Sequence, residues 1–167
     1  EELHQRFDEA LAQVKSRLGQ EHAMLINGKE RFADEKFEDR SPINTDWVLG
    51  VFQKGTRQDA NDAIAAASAA FPLWSRMRWE ERVALVRKAA SVIDRRLFEM
   101  AAVMALEVGK NRMEALGDVA ETADLLRYSC ERMEAHKGYI AEMGRDPLSG
   151  FESTNVSVLR PYGVWLV

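Results

Sequence analysis

Cysteine is nearly absent from this sequence. Cys130 stands alone, so no internal disulfide can form, and a chain of that kind suits a reducing compartment. Long apolar runs are missing too: no stretch of 18 apolar residues occurs, which excludes a helical membrane span. The first residues, EELHQRFDEALAQ, hold no apolar core of the kind a secretory leader needs, so a cytoplasmic location is expected. Basic excess is lacking. Lys and Arg number 23 against 27 Asp and Glu, the formal net charge is −4, and no Lys/Arg run exceeds two. That balance gives no electrostatic case for nucleic acid, whose phosphates demand a net basic face. No glycine-rich phosphate loop of the GxGxxG or GxxxxGKS/T type occurs, and no GxSxG elbow. The three histidines, His4, His22 and His136, lie far apart, with no Cys/His spacing for zinc.

What is present is the makeup of an ordinary folded protein, 46% hydrophobic and 30% charged over 167 residues. That length suits one domain or a part of a larger one. Leu3, Phe7, Leu11, Val14 and Leu18 recur at spacings of three or four, predicting a packing helix over residues 1–20 with Gly19 as its stop. Asn27-Gly28 inside AMLINGKERF is a hairpin signal. KFEDRSP reads as a strand broken at Ser41-Pro42, and WVLGVFQKG as a third strand, so a small antiparallel piece is expected.

From Thr56 the pattern turns helical for roughly eighty residues. Thr56 and Asp59 form a capping box. Ala60, Ile64, Ala67, Phe71 and Trp74 share a face, and Pro72 predicts a kink or an end nearby. A second helix should run from Trp79 to about Met104, with Gly109 beyond its end. A third should run from about Arg112 to Gly138, burying Met113, Leu116, Ala120, Ala123, Leu126 and Met133. Asp146-Pro147 and Ser149-Gly150 are breakers. Thr154 to Leu159 alternates like a half-buried strand. Val164 to Val167 is apolar throughout, as in a parallel strand buried on both faces. No earlier segment builds such a sheet. The chain is therefore expected to be the front part of something longer, mainly α-helical, with a small antiparallel β part and the first strand of a parallel sheet.

Candidate chemistry is sparse. Cys130 falls mid-helix, away from the helix N-terminus or cation that would activate a thiol, and reads as a packing residue. Glu114, Asp118 and Glu121 share one helical face, which Asp124 extends. They form either a solvated acidic face or a carboxylate set aimed at a cationic ligand.

Several segments together resemble the aldehyde dehydrogenase superfamily: INGKERF, FEDRSPINTDWVLGVFQKGT, ALEVGKNRMEALGDVAETADLLRY and VLRPYGVWLV. The lead helix, EVGKN and DVAETADLLRY look most like its pyrroline-5-carboxylate dehydrogenase branch, which oxidises L-glutamate γ-semialdehyde to glutamate in proline breakdown. The resemblance divides the chain into an N-terminal helix, 1–22, and the N-terminal part of an aldehyde dehydrogenase domain, 23–167. It implies an α/β parent enzyme that uses NAD, forms a homo-oligomer, and keeps its nucleophilic cysteine, general base and dinucleotide-binding residues in segments later than Val167. No catalytic, cofactor-binding or metal-ligating residue is then expected here, and Cys130 does not match the family's catalytic position. Glu121 matches a glutamate placed near the amino-acid end of the substrate. Glu107 matches an acid bordering a monovalent-cation site in parts of the superfamily, or else is a plain helix-end carboxylate. STNVSVLRP resembles a strand of the oligomerisation arm. The alternative is a free-standing, non-catalytic helical binding or scaffold module of shared ancestry.

Overall fold

The computed structural model describes residues 1–148, 150 and 152–167, so Ser149 of the second breaker pair lies outside the described residues. The chain opens with helix α1 (Glu2–Lys15), which buries Phe7 and Val14 of the predicted stripe together with Ala10; Leu11 is half-buried, Leu3 is exposed, and Leu18 lies past the helix end. Gly19 follows with φ +76°, a left-handed turn that glycine adopts without a Cβ penalty. Strand β1 (Glu21–His22) comes next, then the hairpin of β2 (Met24–Ile26) and β3 (Lys29–Arg31). Asn27 and Gly28 both hold positive φ, the demand of a tight type I′ connection. Strands β4 (Lys36–Arg40) and β5 (Val48–Gln53) pair antiparallel, as expected.

The sheet is nevertheless mixed. β1 adds to the far edge of β5 in parallel, with Glu21 opposite Val51 and His22 opposite Phe52. Two residues carry too little pattern to announce a strand. Gln53, buried at the end of β5, accepts the Ala33 N–H and donates to Glu21 Oε1 and the His22 carbonyl, all at 2.9–3.0 Å. A buried amide so satisfied ties three segments together.

Four long helices follow: α2 (Arg57–Arg76), α3 (Trp79–Arg95), α4 (Leu97–Val108) and α5 (Arg112–Ala135). The Thr56–Asp59 capping box forms in full. α2 runs through Pro72 and ends one turn later at Arg76, so the missing N–H costs a single bond close to the terminus. Its expected apolar face is not covered: no residue of α2 is buried, and Ile64 stays 56% exposed.

The single helix expected from Trp79 is two. Arg96 breaks it at φ −104°, ψ 13°, its N–H shared between the Val92 and Ile93 carbonyls. The break has a packing reason. α3 lies against α5, while α4 must meet both α5 and α1, and one straight helix cannot turn its stripe to both. α4 ends at Gly109, in the left-handed conformation expected of it. On α5 the buried face is Ala115, Leu116, Val119, Ala123 and Cys130. Met113 and Ala120, expected inside, are exposed, so the stripe is rotated from the predicted one.

The core joins Phe7, Ala10 and Val14 to Ala101, Ala102, Ala105 and Leu106 of α4 and to the first turns of α5. Phe7 contributes roughly 1.5–3 kcal/mol by leaving water. Fully buried Ser41 donates to the Leu106 carbonyl at 2.6 Å, tying the end of β4 to the last turn of α4. Beyond α5, a single 3-10 turn (Lys137–Tyr139) leads into β6 (Ile140–Glu142), which pairs antiparallel with β7 (Val156–Val158). β7 lies within the predicted Thr154–Leu159 run but is exposed on both faces. Val164–Val167 forms no strand here: Trp165 is 72% and Leu166 99% exposed. A strand needs a neighbour to pair with, and among the described residues none lies beside it.

Candidate functional site: the outer face of α5

Asn111 opens α5 by accepting the N–H groups of Met113 and Glu114, each at 3.0 Å. Sequence reasoning missed this cap, although Asn three residues before Glu is a helix-start signal. The cap fixes where α5 begins, and so which residues face out. Because the buried stripe centres on Ala115, Val119 and Ala123, the face opposite carries Glu114, Asp118 and Glu121. The structure thus brings the three carboxylates together as their spacing predicts.

Their surroundings differ. The left-handed turn at Gly109 sends Lys110 back across the start of α5, where its ammonium pairs with Asp118. That hydrogen bond raises the Lys110 pKa above its ordinary value, with the nearby Glu114 adding to the effect. Asp124 pairs with Arg127 at 3.1 Å, and Arg127 also reaches Asp94 on α3. Glu121 is exposed and has no hydrogen bond or ion pair among the described residues. A carboxylate left open between answered neighbours can receive a cation.

The other sequence candidates sit elsewhere. Cys130 is buried, its thiol directed at the Val83 carbonyl at 3.7 Å, in a packing position between α5 and α3. His4 contacts Arg112, His22 stacks on Phe52 with ring centroids 5.0 Å apart, and His136 stacks on Tyr139 at 4.8 Å. Glu107 lines a cleft of about 280 Å³ between α1, α4 and the mixed sheet, beside Arg17, Asp39 and Glu99. Among the described residues no group of three or more His, Cys, Asp or Glu is placed to hold a metal ion.

The turn from β5 into α2 does not fit a dinucleotide. Its helix start is filled by its own side chains, since Asp59 accepts the Thr56 N–H at 2.8 Å and Thr56 Oγ1 accepts the Asp59 N–H. Asp34, Glu35 and Asp59 line the hollow beside it, and its one lysine, Lys54, is already paired with Glu35 at 2.9 Å, so among the described residues no free cation is left there for a pyrophosphate.

A profile described as "Aldehyde dehydrogenase family" matches residues 30–167, and the chain belongs to that family. The 1-pyrroline-5-carboxylate dehydrogenase of Staphylococcus saprophyticus is 38% identical over 127 residues, covering 76% of this chain and 25% of that protein. A solved variant of the Thermus thermophilus 1-pyrroline-5-carboxylate dehydrogenase superposes with a TM-score of 0.81 at 32% identity, over 88% of this chain and 28% of that one. A Thermus enzyme of the same name, solved with bound NAD, gives a TM-score of 0.82 at 31% identity, over 88% and 28%. The chain spans about a quarter of the length of the curated relatives it matches.

Proposed function

We propose that this chain is the N-terminal segment of a cytoplasmic, NAD-dependent dehydrogenase that oxidises L-glutamate γ-semialdehyde, the open form of pyrroline-5-carboxylate, to glutamate. Residues 1–22 carry its lead helix α1 and the short strand β1, and residues 23–167 begin its aldehyde dehydrogenase domain. The enzyme acts as a homo-oligomer. Glu121 is the substrate contact this segment supplies, and nucleophile and cofactor site belong to other segments. NAD supplies the hydride acceptor in this family's reaction, and no residue described here is assigned to hold it. The observation that carries the reading is the open Glu121 carboxylate on a chain whose relatives bear the name of this activity. The substrate carries an ammonium group, and a carboxylate is its natural partner. The likeness to named enzymes over most of the chain weighs against a free-standing scaffold module.

The test uses Glu121→Gln and Glu121→Ala in the full enzyme, assayed on glutamate semialdehyde and on a simple aliphatic aldehyde. A lost charge-assisted contact should lower kcat/KM on the amino-acid aldehyde by roughly one to two powers of ten and leave the aliphatic aldehyde unaffected. Equal loss on both substrates, or no loss on either, contradicts the assignment.

A further inference from the structure

We propose that the cleft between the end of α2, the start of α3 and the β6–β7 hairpin binds a small polyanion, bearing phosphate or paired carboxylates, through Arg76, Arg78 and Arg160. The cleft measures about 630 Å³ and places four arginines, Arg76, Arg78, Arg82 and Arg160, around a single carboxylate, Glu80. In a chain of net charge −4, that is a concentrated patch of the opposite sign.

The charges inside it are not balanced. Glu80 is committed to Arg78 at 3.2 Å. Arg82 donates to the Trp74 and Met77 carbonyls and holds the turn between α2 and α3. Arg76 and Arg160 have no hydrogen bond or ion pair among the described residues. Like charges gathered beside apolar walls repel one another more strongly than in open water. Trp79, Ile140 and Val158 supply those walls. The Trp79 ring is itself fixed, because Gly138 packs so closely on it that an added Cβ would overlap the indole. An anion with several oxygens relieves the repulsion and matches the planar donor forks of arginine, which bind phosphate and carboxylate in paired hydrogen bonds. The volume falls in the range of small-molecule sites, roughly 300–1,000 Å³. This site is separate from Glu121 and does not depend on the dehydrogenase reading.

The experiment is isothermal titration of the full chain at low ionic strength with inorganic phosphate and, separately, with succinate, each against sodium chloride of equal ionic strength. One saturable site for at least one probe is expected, and which probe binds identifies the anion class. Affinity should fall roughly ten- to a hundredfold in Arg76→Gln/Arg160→Gln and stay unchanged in Arg57→Gln, an exposed arginine at the other end of α2. Circular dichroism melts check that the double variant folds, and Arg160→Gln alone, outside every helix and strand, serves if it does not. No saturable uptake of either probe, equal affinity in the arginine variants, or the same loss in Arg57→Gln overturns the proposal.

Discussion

Asp118 and Glu121 lie one turn apart on α5, yet only one of them has an answering charge. Lys110 reaches Asp118 across the Gly109 turn, and among the described residues nothing comparable reaches Glu121. The spacing of the acids makes their shared face legible in the sequence. The pairing was not legible, because it depends on the direction in which a left-handed residue sends the chain. Gly138 shows the same limit. It reads as a helix stop, and its φ of +73° agrees, but its contact with Trp79, nearly sixty residues earlier, has no local signature. Gly138→Ala therefore meets two penalties, a left-handed backbone and a Cβ inside the indole ring. The expected cost is at least about 2 kcal/mol of unfolding free energy, measured by urea denaturation followed by tryptophan fluorescence. An unchanged midpoint would mean that the ring moves aside freely.

Among the elements, those set by short-range chemistry are legible in the sequence. Asn27-Gly28 makes its hairpin, Thr56 and Asp59 make their cap, and Gly109 ends its helix. Those set by long-range packing are not. The break at Arg96 exists because α4 must reach α1, and β1 exists because β5 offers an open edge. A salt cluster marks that break: Glu99 accepts from Arg96 at 2.9 Å and from Arg17 at 2.8 Å, linking the residues after α1 to α4. The Arg96 hydrogen bond first, and Arg17 second, lower the Glu99 pKa to about 2. A carboxyl depressed in the folded state contributes stability that is fully present above its unfolded value of about 4.3, and loses it as pH falls toward 2. Wild type should therefore lose stability more steeply than Glu99→Gln between about pH 5 and pH 2, by denaturant titration at each pH. Parallel curves would show that the cluster is screened by solvent and contributes nothing to the docking of α1.

At the scale of the whole molecule, two expectations met different fates. The mainly helical chain with small sheets is as the sequence implied, and the family match confirms the resemblance on which the α/β parent fold was expected. The deep parallel strand read from Val164–Val167 is not formed, since apolar composition names a strand only when a partner lies alongside it. The chain corresponds to about a quarter of its curated relatives, so the proposal divides labour: this segment holds the amino-acid end of the substrate, and other segments carry out the oxidation. The most direct measurement replaces the matching segment of the Staphylococcus saprophyticus 1-pyrroline-5-carboxylate dehydrogenase with this chain and follows NADH formation from L-glutamate γ-semialdehyde. The proposal predicts a chimera whose kcat/KM stays within about tenfold of the parent enzyme, a barrier change of about 1.4 kcal/mol, and which still prefers the amino-acid aldehyde over an aliphatic one. A folded chimera that oxidises the aliphatic aldehyde but not glutamate semialdehyde would contradict it.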